Sequence, residues 1–207
     1  MKKGWEKTTN QLNLEERRLK VGMNEKEIQF LLETTKNINT YFEYGCGGST
    51  VFVYDNSSAK VRTIDTNRKW LDKVEKIIQD EKRFKFEHID LGPTHSFGFP
   101  ANEARKNLWP TYSQAINNAE DIPEVVLIDG RFRIACALAT IKYSKDMGVD
   151  PIVLIHDAKR YLSELTLEKK YFSIIKRVDS LCMLKISDDI DLLELNNDYD
   201  TYRYITR

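Results

Sequence analysis

Short apolar runs alternate with amphipathic stretches along most of the chain. "YFEY" (41–44), "VRTID" (61–65), "FKFEHID" (84–90), "EVVLID" (124–129) and "PIVLIHD" (151–157) read as five strands, being short and rich in β-branched or aromatic residues. "NRKWLDKVEKIIQD" (67–80) sets Trp70, Leu71, Val74, Ile77 and Ile78 at helical spacing. "RIACALATIKYSKDM" (133–147) and the short "TVFVYD" (50–55) are further helices. Ahead of the first strand, "GMNEKEIQFLLETTKNIN" (22–39) predicts a helix capped by Asn24, with Glu27 completing a capping box and Met23 stapling onto Ile28. Its apolar stripe is Ile28, Leu31 and Leu32. "YFSIIKRVDSLCMLKIS" (171–187) holds two β-rich runs around Asp179 and predicts an antiparallel pair. Residues 1–21 are polar and charged and read as a peripheral arm, leaving one domain over 22–207. The acidic, tyrosine-rich tail after Ser187 has no assignable period.

Strand, helix, strand, helix is the pattern of an α/β, doubly wound, Rossmann-like sheet. The continuous apolar runs of the fourth and fifth strands suit central parallel strands covered on both faces. Such sheets bind ligands beyond the carboxyl ends of their strands. Those ends deliver Glu43, Asp65, Asp90, Asp129 and the pair His156–Asp157. Asp is a common turn former, but five acidic ends on one sheet edge exceed what turn chemistry asks for.

Composition narrows the partners. Lys plus Arg equals Asp plus Glu, 32 each, so no global field recruits nucleic acid or an anionic membrane. "VVLI" and "IVLI" are far too short to cross a bilayer. The basic start has no apolar stretch behind it and is not a secretory signal. The three cysteines (Cys46, Cys136, Cys182) form no CxxC, which speaks against a disulfide framework or zinc site and for a reducing, cytoplasmic setting.

The stretch "YFEYGCGGST" (41–50) spends three of the chain's nine glycines within four positions. A glycine-rich turn between strand and helix lets backbone approach a ligand and aims helix N–H groups at it. Asp65, twenty residues after Gly45, stands where an acid can take ribose hydroxyls. Dinucleotides and S-adenosylmethionine both use this arrangement. Thr50 occupies the position where the dinucleotide fingerprint wants glycine or alanine, and Glu43 sits just ahead of the loop, where a carboxylate can meet the ammonium of a methionine moiety. Both features favour the sulfonium cofactor.

"FEYGCGGST" resembles the first motif of class I S-adenosylmethionine-dependent methyltransferases, "TIDTN" the second and "HIDLG" the third. "VLIDGRFR" and "IVLIHDAKR" are similar to a bacterial and viral subgroup, some of it associated with surface-glycan loci. The resemblance runs from about Gly22 to about Ile186. It implies a seven-stranded sheet, mostly parallel, whose antiparallel last strand is inserted beside the fifth. It places Glu43, Gly45, Gly47 and Ser49 at the methionine end, Asp65 on the ribose, and Asp90 with Leu91 against the adenine. Cys46 falls at a variable position and reads as a small residue, with no histidine near in sequence to make it a nucleophile.

The expected activity is methylation of a hydroxyl on a small molecule or glycan, a sugar by preference. The alternatives are an NAD-dependent or nucleotide-sugar oxidoreductase and a non-catalytic S-adenosylmethionine-binding module. A hydroxyl acceptor must lose a proton to a base or a metal. Asp129, His156 and Asp157 are the candidates, with His95 a secondary one and His88 structural. Asp129 and Asp157 resemble the carboxylate pair of metal-dependent O-methyltransferases, but Ala158 follows Asp157 where that pattern has an amide or acid. A metal-free route is therefore expected, with His156 as base and Asp157 or Asp129 orienting it. Arg131 and Arg133 are candidates for binding a polar or anionic acceptor, and Lys159 and Arg160 fit that role or a solvated surface. Segment 91–112 is long for a connection. Its Phe97, Phe99, Trp109 and Tyr112 either pack over the sheet edge or form a lid against the acceptor.

Overall fold

The computed structural model describes residues 19–163, 165 and 171–206. The sheet has seven strands in the order β3-β2-β1-β4-β5-β7-β6. They are β1 (Thr40–Tyr44), β2 (Lys60–Asp65), β3 (Phe84–His88), β4 (Val125–Ile128), β5 (Ile152–Ile155), β6 (Phe172–Val178) and β7 (Leu181–Ile186). The pairs β1–β2, β2–β3, β1–β4 and β4–β5 are parallel; β7 is antiparallel to both β5 and β6. This is the expected architecture, with the final strand inserted beside the fifth. The hairpin around Asp179 forms as predicted, and Asp179 itself takes a left-handed φ of 50° at its turn.

Period-two alternation divides the strand side chains between two cores. Phe42, Tyr44, Ile64, Val126, Ile128, Val153 and Ile155 face α5 (Arg133–Met147), after α4 (Pro110–Gln114) has been placed on that side. Tyr41, Val61, Val125, Leu127 and Leu154 face the helices α1 (Glu25–Thr35), α2 (Gly48–Asn56) and α3 (Arg68–Ile78). Helix α5 is buried over most of its length, which suits its alanines and its lack of a polar stripe.

Helix α1 carries the predicted capping box: Asn24 accepts from Lys26 and Glu27 N–H, and Glu27 Oε2 accepts from Asn24 N–H at 2.9 Å. Its buried face is Phe30 and Leu31, with Ile28 and Leu32 half-buried, so the stripe is rotated from the expected one. In α3, Leu71, Val74 and Ile78 are buried, but Trp70 is half out and donates its indole N–H to Cys46 O instead of joining the core. The tail that showed no period forms α6 (Leu192–Tyr202), capped by Asp191 and packed against α5 through Leu195 and Tyr199. Residues 1–18 of the expected arm lie outside the described residues. None of the described helices is long and apolar enough to cross a membrane.

Candidate functional site

The carboxyl ends of β1, β2 and β4 open into one cleft of about 420 Å³. Glu43, Gly45, Cys46, Gly47, Ser49 and Asp65 line one part of it; Asp129, Gly130 and Arg131 line another, with Phe97 and Gly98 from the long connection. The glycine loop, the second-strand acid and the fourth-strand acid therefore meet, as the sequence pattern required.

Each loop glycine has its own reason. Gly45 has a φ of +100°, and a Cβ there would lie 2.8 Å from Gly130 N. Gly130 in turn has no room for a side chain, because the Tyr112 hydroxyl and Gly45 N fill that space. The β1 and β4 loops touch backbone to backbone. Gly48 is bare because the carbonyl of Lys20 and the amide of Val21 pass directly over it. Gly47 faces the Trp70 indole, 3.3 Å from where a Cβ would be. Only part of the glycine content is thus owed to space for a ligand.

Glu43 is 1% exposed. Ser49 Oγ donates to its Oε1 at 2.5 Å and Thr50 Oγ1 to its Oε2 at 2.8 Å. Thr50 Oγ1 also accepts from Gly47 N–H, at 2.9 Å. The hydroxyl residues of "GGST" thus anchor the carboxyl and brace the loop, which accounts for Thr50 where a dinucleotide loop wants a smaller residue. Burial raises the Glu43 carboxyl to about 8 in spite of these donors, with the charge of Asp129 adding to the effect. Asp65 accepts from Cys46 N–H at 3.1 Å and from Asn67 N–H at 2.7 Å. Burial pushes it up as well, against the lowering by those N–H groups. The Cys46 thiol is driven far upward by burial and by the neighbouring carboxylates, so it is no nucleophile.

At the ends of β4 and β5 the structure departs from expectation. His156 does not line the cleft. Its Nδ1 is 3.0 Å from Asp129 Oδ1, and its Nε2 is 3.1 Å from Ser180 Oγ and 3.7 Å from Glu27 Oε2. Burial alone would lower the imidazole, but the hydrogen bond and charge of Asp129, with the charges of Asp157 and Glu27, raise it on balance. An imidazole with both nitrogens occupied and held toward its charged form is poorly placed to take a proton from an acceptor. Glu27 is buried too; burial would raise it, but bonds from the Ser180 hydroxyl and from Asn24 and Ser180 N–H hold it below the usual carboxylate range.

Arg133 is a second correction. It is 3% exposed and donates to the carbonyls of Gly130 (3.0 Å), Asp129 (3.1 Å) and His156. Its guanidinium also lies 3.1 Å from Asp129 Oδ1 and 3.4 Å from Asp157 Oδ2. A cation at a helix N-terminus opposes the helix dipole; these contacts compensate. The space between Asp129 and Asp157, where a divalent ion would bridge them, is therefore filled by a buried guanidinium. Among the described residues no group of three or more His, Cys, Asp or Glu side chains is arranged to hold a metal. Asp157 has a left-handed φ of 55° and Phe132, before α5, one of 54°. Non-glycine residues in that region cost on the order of 1–3 kcal/mol each and cluster at functional sites.

Of the remaining candidates, Arg131 does reach the cleft, its guanidinium 4.2 Å from the Phe99 ring centroid and its Nε buried without a partner. Trp109 and Tyr112 do not: both are buried and pack around Phe132, with ring centroids at 5.8 and 5.6 Å. Only the Phe97 portion of the expected lid survives, 86% exposed and left-handed (φ 61°) at the cleft mouth. Asp90 is exposed, paired with Arg105 and accepting from Gly92 N–H; Leu91 is buried in the core, and neither lines the cleft. His88 Nε2 contacts Thr66 O at 3.1 Å, in keeping with a structural role. Lys159 and Arg160 lie in a short turn after Asp157, exposed. Sequence reasoning missed Glu27, Ser180, Trp70, Asn67 and Gly130. The capping box flagged Glu27 Oε2, but nothing flagged Oε1, which Ser180 uses across 153 residues.

No protein-family model and no curated protein matches the chain. Among solved structures it is similar to a methyltransferase-like protein of Silicibacter pomeroyi, with TM-score 0.80 and 22% identity over 91% of this chain and 99% of that one. More distant are the fibrillarin pre-rRNA processing protein of Methanococcus jannaschii (TM-score 0.48, 16% identity, 82% and 70% covered) and an Aeropyrum pernix fibrillarin with natively bound S-adenosyl-L-methionine (0.46, 11%, 74% and 68%). The first of these shows that the chain has the Rossmann-like methyltransferase fold.

Proposed function

We propose that the protein is an S-adenosylmethionine-dependent O-methyltransferase acting on a hydroxyl of a small molecule or glycan, with a sugar preferred. The observation that carries this reading is the buried Glu43 carboxyl, held by Ser49 and Thr50 beneath a glycine loop that shares its cleft with Asp65. An ammonium would favour the ionised form of this carboxyl and pair with it; a pyrophosphate would be repelled by that ionised form.

The residues fit the cofactor. Glu43 would meet the methionyl ammonium, Gly45 and Gly47 would give backbone access, and Asp65 would accept from the ribose hydroxyls. The bound cofactor supplies a methyl group activated by a positive sulfur, so the protein's task is to bind, align and exclude water. Asp129 is the one member of the Asp129, His156 and Asp157 set that lines the cleft. It is the side chain we assign to the acceptor's hydroxyl proton, with His156 and Arg133 fixing its Oδ1. The balanced net charge offers no general attraction to a polyanionic acceptor.

The test is a tritiated-methyl transfer screen over sugars, phenols, nucleotides and proteins. Transfer to a sugar hydroxyl, lost in Asp129→Asn while S-adenosylhomocysteine still binds, supports the reading. Incorporation only into nucleotides or proteins contradicts the acceptor assignment.

A further inference from the structure

Resting on the cofactor reading just given, we propose that Lys20 binds the carboxylate of the methionine moiety, which makes the segment before α1 part of the cofactor site. A methionyl group is a zwitterion, so Glu43 can answer only its ammonium. The cleft presents three carboxylates, Glu43, Asp65 and Asp129, and two cations, Lys20 and Arg131. Arg131 lies on the side of the long connection, stacked on Phe99 and beside Gly98. Lys20 stands at the other end. Its carbonyl passes directly over Gly48, next in sequence to Ser49, whose hydroxyl holds Glu43.

The placement is built. Gly48 cannot carry a Cβ because the Lys20 carbonyl and Val21 amide occupy that space. The segment is thus seated on the first residue of α2, where the helix N-terminus also favours an anion. Lys20 is exposed, is among the residues lining the cleft, and has no ion pair among the described residues. A cation without a carboxylate of its own, at the end of the cleft that holds the ammonium's partner, is complementary to the other half of the zwitterion.

The experiment compares S-adenosylhomocysteine with 5′-methylthioadenosine, which keeps the nucleoside and thioether but lacks the amino-acid end. Calorimetry is run on the wild-type chain, Lys20→Gln and Lys20→Arg. Lys20→Gln should weaken S-adenosylhomocysteine about tenfold or more, leave 5′-methylthioadenosine within about twofold, and be largely rescued by Lys20→Arg. Equal loss for both ligands, or no loss for either, overturns the assignment. Failure of the wild-type chain to bind S-adenosylhomocysteine at all overturns the cofactor reading together with it. Thermal melts of the variants without ligand should match wild type, since an exposed side chain is being changed.

Discussion

Asp129 Oδ1 lies 3.0 Å from His156 Nδ1 and 3.1 Å from the Arg133 guanidinium, so one carboxylate oxygen is shared by the imidazole that follows β5 and a guanidinium from α5. Asp157 and Glu27 complete a chain of alternating charge across the β4 and β5 ends, from the first helix to the last hairpin. Removing Arg133 would leave Asp129 and Asp157 partly exposed to solvent, but would strip the donor from the carbonyls of Gly130, Asp129 and His156.

Arg133→Met is therefore expected to destabilise the fold by about 1–3 kcal/mol, seen as a lower midpoint in chemical denaturation. A loss under about 1 kcal/mol would mean that Asp129 and Asp157 find other partners.

His156 is raised by its carboxylate neighbours, and the sign of its pH effect follows. A raised folded-state pKa contributes stability that is complete below the unfolded value of about 6.5 and is lost as pH climbs through the folded value. Titration of the imidazole by NMR should give a pKa above the ordinary one, and Glu27→Gln should lower it. An ordinary or depressed value would restore His156 as a candidate base.

Glu43 runs the other way from a typical carboxylate. Its folded pKa of about 8 lies above the unfolded one, so its contribution to stability falls as pH rises toward 8. An ammonium ligand needs the ionised form. Binding of S-adenosylhomocysteine below pH 8 should then release a proton, and its affinity should rise between pH 6 and 8. Calorimetry in buffers of different ionisation enthalpy measures that release, and Glu43→Gln should abolish it.

Gly130→Ala should fail to fold stably, because its Cβ would meet the Tyr112 hydroxyl and lie 2.9 Å from Gly45 N. Adding Tyr112→Phe removes the hydroxyl but not the backbone contact, so only partial rescue of the melting temperature is expected. Wild-type stability in the single variant would show that the β1 and β4 loops can move apart.

The five parallel strands, the hairpin, α1, α3 and α5 were legible because their periods are regular and their caps local. Helix α6 was not: its buried face is little more than Leu195 and Tyr199, too sparse to stand out among acids and asparagines. At the site, Glu43 and Asp65 could be read from spacing to a glycine loop, since strand and turn fix both. The roles of His156 and Arg133 could not. Strand ends show which residues arrive at an edge, whereas partners such as Ser180 and Glu27 come from distant elements and decide whether a side chain faces solvent or another charge. Trp109 and Tyr112 could not be assigned for a related reason, since aromatic residues in a long connection serve a core or a lid equally well until Phe132 is seen between them.

Asp65→Asn isolates the charge at the position assigned to the ribose. Loss of charge-assisted bonds, roughly 1.5–3 kcal/mol each, should weaken S-adenosylhomocysteine about tenfold or more, with part of the change in ligand-free stability coming from the Cys46 and Asn67 N–H groups. Unchanged affinity would reduce Asp65 to a turn residue.

Paired calorimetric titrations of the purified protein with S-adenosylhomocysteine and NADH decide the cofactor class. Saturable 1:1 binding of S-adenosylhomocysteine with no comparable affinity for NADH is expected; tighter binding of NADH would overturn the methyltransferase reading.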